Sequence, residues 1–242
     1  MFDLTGKTAL VTGSTQGIGR AVADVFLKSG ASVWIHGSRD AEKAKKTAEA
    51  LDSPLWCVCD LSEREAAVAL YEKTGDVDIL VCNASVQYRT KWYEIGDPEL
   101  ETQLQVNFRS TLALMQRYSA SMREKRKGRI LTVGSVQQYR PHADMAVYAA
   151  TKCAVMSLVR NIAKQEAPYG ITVNNISPGV IDTPRNAGAL ADAAYSRKVL
   201  AGIPCGYVGS SYDIACAALF LCSDEGRYVT GTDITVDGGM AL

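Results

Sequence analysis

The chain has 242 residues, enough for one large domain with a sizeable buried core. Basic and acidic residues balance at 26 each, so no charge excess favours nucleic acid or an anionic membrane as a partner. No apolar run reaches membrane-spanning length, no signal-peptide layout is present, and seven scattered cysteines fit a reducing compartment, so we expect a cytoplasmic protein without a metal.

The first predicted unit is a strand, a glycine turn and a helix. Residues 7–12 form a short apolar strand, and residues 20–28 carry the apolar periodicity of a helix. Between them, glycines let the backbone approach a pyrophosphate, and the helix N-terminus offers free amides and a partial positive charge. The spacing is Gly-x-x-x-Gly-x-Gly, not the general Gly-x-Gly-x-x-Gly. The sequence therefore predicts a nucleotide site formed by Gly13, Ser14, Thr15, Gln16, Gly17, Ile18 and Gly19.

The end of the second predicted strand, residues 31–36, indicates which nucleotide is bound. An aspartate or glutamate there would hold the ribose hydroxyls of NAD, whereas this chain has Gly37, Ser38 and Arg39. Ser38 and Arg39 can donate hydrogen bonds to a 2′-phosphate, and the arginine fork suits a bidentate contact. NADP(H) is therefore favoured, with NAD(H) as the alternative. In the competing interpretation, Ser38 or Asp40 caps the next helix and Arg39 is a solvated charge.

Two further predicted strands, 55–59 and 78–82, end at residues suited to contact a nucleotide. Asp60 and Leu61 follow the first strand and are expected near the adenine, although Asp60 could instead cap the helix that follows. Asn83 and Ala84 follow the second strand. Since parallel strands end at one edge of a sheet, these residues are predicted to share a site with the glycine turn.

The second half of the chain carries a phenol and an ammonium one helical turn apart. A helix over 98–125, a strand over 128–133 and Ser135 precede them; Tyr148 and Lys152 then share one face of an alanine-rich helix that runs to about residue 167. A phenol titrates at about pH 10 in water, too high for efficient acid–base work at neutral pH. A cation held about 4 Å away stabilises the phenolate by up to roughly 4 kcal/mol, which predicts a lowered pKa for Tyr148.

The remaining elements complete an alternating pattern. A strand over 171–176 leads to Pro178 and Gly179, and residues 183–204 show no strand but a short helix over 190–200, as expected of a lid. A helix over 210–222 and a strand over 232–236 follow. The pattern predicts one α/β domain over 1–242, a Rossmann-like doubly wound fold with a seven-stranded parallel sheet, helices on both faces and ligands at the carboxyl ends of the strands.

Over essentially its whole length, the sequence resembles the classical short-chain dehydrogenase/reductases. The Thr-Gly-x-x-x-Gly-x-Gly of that family appears at residues 12–19, and its Tyr-x-x-x-Lys appears at 148–152. The family's serine, helix asparagine, Pro-Gly turn and closing Val-Asp-Gly-Gly are matched by Ser135, Asn107, 178–179 and 236–239. Two positions depart: the family's Asn-Asn-Ala-Gly ends in Ser85, and Gln16 replaces a basic residue before the second glycine.

The resemblance implies hydride transfer between a nicotinamide and a carbonyl or secondary alcohol. Tyr148 is then the general acid or base, and Lys152 lowers its pKa and hydrogen-bonds the nicotinamide ribose. Ser135 donates to the substrate oxygen. Asn107 bends its helix and holds a water that joins Lys152 to solvent. The residues implied at the nicotinamide are Pro178, Gly179, Ile181 and Thr183, the last two at its carboxamide.

The predicted substrate pocket is polar. Its candidates are Gln137, Gln138 and His142, from the segment before Tyr148, and Arg185 from the lid. Such a pocket suits a small sugar, polyol or hydroxy or keto acid better than a steroid. His142 fits a surface position better than a catalytic one.

Two other functions remain open at this stage. A 3-oxoacyl-[acyl-carrier-protein] reductase would place a basic residue where Tyr169 stands, a place that Arg126 or Arg129 could take. A non-catalytic nucleotide-binding regulator would have lost the tyrosine or the lysine, and both are present. Members of the resembled family are commonly tetramers, so we expect a homotetramer, or a homodimer, acting on a small-molecule carbonyl or alcohol.

Overall fold

The computed structural model describes residues 1–242 and contains nine strands and nine α-helices. The strands are β1 (Thr8–Val11), β2 (Ser32–Gly37), β3 (Trp56–Val58), β4 (Ile79–Cys82), β5 (Gly128–Val133), β6 (Ile171–Pro178), β7 (Ile181–Asp182), β8 (Gly209–Ser210) and β9 (Asp233–Val236). The helices are α1 (Gly17–Lys28), α2 (Ala41–Ala50), α3 (Ala66–Thr74), α4 (Asp97–Gln103), α5 (Ser110–Lys125), α6 (Ala146–Glu166), α7 (Pro184–Ala191), α8 (Ala193–Ala201) and α9 (Ser211–Cys222).

Seven strands form one parallel sheet in the order β3-β2-β1-β4-β5-β6-β9. The direction of strand addition reverses between β1 and β4, which creates the crevice where ligands bind in doubly wound sheets. The predicted seven-stranded doubly wound fold is confirmed.

The core lies on both faces of this sheet. Along β1, Ala9 and Val11 belong to an apolar cluster that includes side chains of α1 and α9, whereas Leu10 belongs to a second cluster with α3, α5 and α6. This alternation is the period of two expected of a strand covered on both sides. Phe26 of α1 is fully buried, a burial that stabilises the fold by roughly 1.5–3 kcal/mol.

Three segments differ from the prediction. The predicted helix over 98–125 is divided by a π-helical turn, Leu104–Arg109, between α4 and α5. The lid contains two helices, α7 and α8, where one short helix was expected. Its base carries the two-residue strands β7 and β8, which are too short to give a periodic signal.

None of the helices combines the length and the apolar character needed to cross a membrane. All seven cysteines are unpaired, and Cys57, Cys82 and Cys222 are buried. No group of three or more His, Cys, Asp or Glu side chains is arranged to hold a metal ion.

Candidate active site

The glycine turn between β1 and α1 has the open shape that a phosphate group needs. Gly13 and Gly17 have positive φ angles of 64° and 55°, a region that L side chains rarely adopt. A side chain at Gly19 would collide with the Gly13 carbonyl and the Asn83 amide. The side chain of Gln16 does not cap α1, and no acidic residue lies in the first turn. The N-terminal amides of α1 are therefore available to an anion.

His36 fixes this turn, a role that the sequence analysis missed. Its Nδ1 accepts a hydrogen bond from the Gly13 amide at 3.0 Å, and its Nε2 donates to the Cys59 carbonyl at 3.0 Å. Burial lowers the pKa of His36 to about 4, so the neutral ring that can accept from Gly13 is the form present at neutral pH. The only signal in the sequence is a polar residue at the end of an apolar strand.

Ser14 does not reach the cavity, contrary to its predicted contact with the cofactor. It is fully buried, its amide donates to the His36 carbonyl at 3.0 Å, and its hydroxyl accepts from the His36 amide at 2.9 Å. Ser14 therefore joins the turn to the end of β2. The spacing of the glycines does not show which side chains of the turn face the cavity and which face the sheet.

Asn83 joins the end of β4 to the end of β1. Its Nδ2 donates to the carbonyls of Thr12 and Gly13 at 2.8 and 3.2 Å. The Thr12 hydroxyl accepts from the amides of Asn83 and Ala84 at 3.0 and 3.1 Å. These bonds hold the floor of the site against the glycine turn.

Asp60 organises the cavity's outer end. It forms an ion pair with Arg39, and the Ser38 hydroxyl donates to it at 3.4 Å. Burial acts to raise the pKa of Asp60, but hydrogen bonds from Ser62 and Arg39 outweigh it and lower the pKa. Asp60 also accepts from the Ser62 amide at 3.0 Å, so it shapes the turn before α3, which begins at Ala66.

Lys43 is a second residue that the sequence analysis missed. It lies in the first turn of α2, lines the same end of the cavity and donates to the side-chain oxygen of Gln16. The chain thus places a cation beside the second glycine from a distant element. A motif search finds only the neutral Gln16 at that place.

Ser135, Tyr148 and Lys152 lie together at the inner end of the cavity. Ser135 follows β5, and its hydroxyl accepts from the Gln137 amide at 3.1 Å. Tyr148 and Lys152 are buried on α6, and the Lys152 ammonium lies 5.5 Å from the centroid of the Tyr148 ring. That ammonium donates to the Val133 carbonyl at 2.7 Å.

The structure changes the expected electrostatics of this group. Burial raises the pKa of Tyr148, against the charge of Arg185 and hydrogen bonds from Ser135, Ser85 and Arg185. Burial, followed by the charge of Arg185, lowers the pKa of Lys152 to about 7. The sequence predicted a lowered pKa for Tyr148 caused by Lys152. The buried phenol instead has a raised pKa, and Arg185 is the cation that opposes the rise.

Asn107 lies in the π-helical turn and is buried behind the cavity. Its Oδ1 accepts from the Val86 amide at 2.9 Å, and its Nδ2 donates to the Val86 carbonyl at 2.9 Å and to Thr151 at 3.2 Å. The helix widens here into a π-helical turn, a feature frequent at functional sites. Asn107 thereby fixes the loop after β4 against α6.

One cavity of about 1210 Å³ connects the glycine turn to the catalytic side chains. Every predicted cofactor residue except Ser14 lines it. The glycines and the open α1 N-terminus fit a pyrophosphate, and Ser38, Arg39 and Lys43 fit a phosphate at the outer end. The residues present therefore fit a nicotinamide dinucleotide.

The predicted substrate residues are divided by the structure. Gln137, His142 and Arg185 line the cavity. Gln138 does not: its amide nitrogen donates to Ser177 and, at 3.4 Å, to Asp233. Gln138 therefore belongs to a polar network beneath β6 and β9, which a local sequence cannot distinguish from a pocket wall.

Comparisons with known proteins agree with this geometry. The family described as Enoyl-(Acyl carrier protein) reductase matches residues 13–241. The 3-oxoacyl-[acyl-carrier-protein] reductase FabG of Rickettsia prowazekii is 34% identical over 100% of both chains.

Two solved structures superpose over nearly the full chain. One is a 3-oxoacyl (acyl-carrier-protein) reductase of Agrobacterium tumefaciens C58 with NADP bound; its TM-score is 0.94, with 34% identity over 98% of this chain and 95% of that one. The other is a gluconate 5-dehydrogenase of Burkholderia cenocepacia J2315 in complex with NADP and tartrate. Its TM-score is 0.92, with 32% identity over 99% of this chain and 96% of that one.

Proposed function

The chain belongs to the classical short-chain dehydrogenase/reductase family and is an oxidoreductase, and we propose that it interconverts a small polar hydroxy or oxo compound with NADP(H). The observation that carries this proposal is the convergence of Ser135, Tyr148 and Lys152 at the inner end of a cavity whose outer end fits a nucleotide phosphate. A non-catalytic regulator is expected to have lost the tyrosine or the lysine, and this chain has both.

The chain's own residues account for the proton chemistry. When bound, the nicotinamide nucleotide supplies or accepts the hydride. In reduction, Tyr148 gives its phenolic proton to the substrate oxygen, and in oxidation it takes that proton back. Ser135 donates a hydrogen bond to the same oxygen and stabilises its developing negative charge. The charge of Arg185 opposes the rise in the pKa of Tyr148, and Lys152, held by the Val133 carbonyl, places its ammonium 5.5 Å from the centroid of the phenol ring.

Two observations support a small polar substrate. Gln137, His142 and Arg185 line the cavity, so its wall carries hydrogen-bonding side chains. The gluconate 5-dehydrogenase structure that resembles this chain holds tartrate, a hydroxy acid. A sugar acid, polyol or short hydroxy acid fits these groups better than an apolar substrate.

The test is a screen of NADPH oxidation against keto acids, keto sugars, simple ketones and acetoacetyl thioesters, repeated with NADH. We expect turnover of at least one small polar carbonyl compound. Cofactor binding without turnover of any carbonyl or alcohol in the panel would contradict the proposal.

We propose that NADP(H) is preferred because Arg39 and Lys43 flank the place of a 2′-phosphate. Replacing Arg39 with glutamine removes a charge-assisted hydrogen bond and leaves Asp60 unpaired near the phosphate. We expect the Kd of NADPH to rise about 10- to 100-fold and that of NADH to change less than about threefold. Fluorescence titration of both nucleotides measures this, with Arg20→Gln as a control because Arg20 is exposed on α1 outside the cavity. Equal losses for both nucleotides would contradict the assignment.

A 3-oxoacyl-[acyl-carrier-protein] reductase remains the second candidate, because the similar proteins include such enzymes over their full length. The surface near Tyr169 carries two cations: Arg123 and Arg126 lie 5.7 and 5.9 Å from its ring centroid. Arg129 cannot contribute, because it is buried and its guanidinium forms an ion pair with Asp224 at 3.3 Å. In the screen, acetoacetyl thioesters turned over faster than every free acid and sugar would favour this candidate.

The proposed assembly is a homotetramer, or a homodimer, in the cytoplasm. An apolar depression supports the assembly. It is lined by Leu100 of α4, Leu104 and Phe108 of the π-helical turn, and Val147 of α6. The unpaired cysteines fit a reducing compartment. Light scattering of the purified chain is expected to give two or four times the 26.0 kDa chain mass; a monomer would refute the assembly.

A further inference from the structure

Arg185 connects the lid to the floor of the active site. It is the second residue of α7, and its guanidinium donates to the Ser85 carbonyl at 2.7 Å and to the Ser85 hydroxyl at 3.2 Å. The first bond is available to any residue at this position, whereas the second needs the serine that departs from the family's glycine. Two bonds to one residue fix the plane of the guanidinium, which reduces the entropy lost when a ligand binds it.

The charge of Arg185 has no acidic partner. The guanidinium forms no ion pair with an aspartate or a glutamate, and its charge acts on both Tyr148 and Lys152. Asp144 also lines the cavity, four residues before Tyr148 in the sequence. Its carboxylate already forms an ion pair with Lys91 at 2.6 Å. Arg185 thus lies in the cavity without a counter-ion, and its charge helps to lower the pKa of Lys152. An anion bound to the guanidinium would balance this charge.

The remaining donors of Arg185 are directed by its contacts. An arginine has five N–H donors, of which Ser85 takes two and the Tyr148 hydroxyl takes one, so two remain for a ligand. The pair formed by a carboxylate and an arginine is frequently bidentate and charge-assisted. Arg185, Ser85 and Tyr148 line the same cavity, so a group that the guanidinium binds shares this cavity with the oxygen on which Tyr148 acts.

We propose that Arg185, oriented by Ser85, is a carboxylate subsite that selects substrates whose carboxylate lies one or two carbons from the reacting carbon. The substrates are then 2-oxo and 3-oxo acids and the corresponding hydroxy acids. The carboxylate takes no part in the hydride and proton transfers, so Arg185 acts by binding and orientation. This inference deepens the proposed function and rests on it for the identity of the reaction.

Binding measures the subsite without turnover. We would titrate the NADP⁺-loaded protein with malonate and with malonamide, its neutral counterpart, by calorimetry. Malonate is expected to bind and malonamide to bind at least 10-fold more weakly. Arg185→Met should weaken malonate binding at least 10-fold, Arg185→Lys less, and Ser85→Gly about 3- to 10-fold, because glycine keeps the carbonyl contact and loses the hydroxyl contact.

Lys198→Met is the matched control, since Lys198 also lines the cavity from the lid but has no contact with Ser85. Its malonate affinity is expected to stay within about threefold of the unaltered protein. Equal affinities for malonate and malonamide, or equal losses in Lys198→Met and Arg185→Met, would overturn the proposal.

Turnover separates the subsite from the proposed function. With NADPH, the unaltered protein is expected to favour acetoacetate over both acetoacetamide and 4-oxopentanoate, and Arg185→Met should raise KM for acetoacetate about 10- to 100-fold with a smaller change in kcat. Equal turnover of acetoacetate, acetoacetamide and 4-oxopentanoate would contradict the carboxylate subsite but not the proposed function. Malonate binding that depends on Arg185, with no turnover of any carbonyl compound, keeps the subsite and overturns the function.

Discussion

Replacing Tyr148 with phenylalanine is expected to lower kcat/KM for the best carbonyl substrate by at least about 10³-fold while leaving the Kd of NADPH within about threefold. The phenylalanine ring fills the same buried space, so only the hydroxyl is lost. General acid catalysis contributes typically 10²–10⁴-fold, and no other group with a transferable proton lies where the phenol does. Steady-state kinetics and fluorescence titration of NADPH measure the two quantities.

Tyr139→Phe is the control for this substitution. Tyr139 lies nine residues away, is half-exposed and does not line the cavity; its hydroxyl donates to Asp233 at 2.5 Å. Its loss should leave kcat/KM within about threefold. A Tyr148→Phe protein that kept more than about a tenth of the activity would mean that another group transfers the proton.

The alternation of strands and helices was readable because each element is long enough to show its own period. β1, β2, β4, β5 and β6 contribute side chains to both apolar clusters, and α1 and α9 bury one face each. The lid was harder, since α7 and α8 have no fully buried side chains and so carry little apolar periodicity. The strands β7 and β8 have two residues each and carry none.

The site residues that the sequence identified lie in motifs, and those that it missed act across long separations. His36 reaches Gly13 over 23 residues and Lys43 reaches Gln16 over 27. The sequence did identify Arg185 as a pocket candidate, but its contact with Ser85 spans 100 residues and was not predicted. The sequence around either partner does not indicate such a contact, because the order of the strands in the sheet decides which distant residues meet. The same limit explains Ser14 and Gln138, whose side chains face the neighbouring strands.

The raised pKa of Tyr148 follows from burial that composition cannot reveal. A Tyr–Lys pair at one helical turn gives an attraction whose size depends on solvent access. In this chain the phenol and the ammonium are both buried, and the ammonium is bonded to Val133. Lys152 is therefore close to losing its proton at neutral pH, which makes its titration visible in the stability of the fold.

Lys152→Met should alter how stability depends on pH. Burial and the charge of Arg185 place the folded-state pKa of Lys152 at about 7, below its value of 10.5 in the unfolded chain. Between these values the unfolded chain binds more protons, so raising the pH through this window stabilises the unaltered protein. From pH 6 to pH 9 the free energy of unfolding of the unaltered protein rises by roughly 2–3 kcal/mol. The Lys152→Met protein does not show this rise, because methionine binds no proton.

Urea unfolding of the cofactor-free protein at pH 6, 7, 8 and 9 measures the difference. Lys152→Met is expected to be the more stable at pH 6, with its advantage shrinking as the pH rises. The lost hydrogen bond to the Val133 carbonyl offsets this by roughly the same amount at every pH, so the slope is the diagnostic quantity. Lys164→Met removes an exposed lysine from the same helix, so its free energy of unfolding should depend on pH as that of the unaltered protein does. Parallel curves for Lys152→Met as well would mean that the buried ammonium keeps its proton throughout, held by a compensating negative charge.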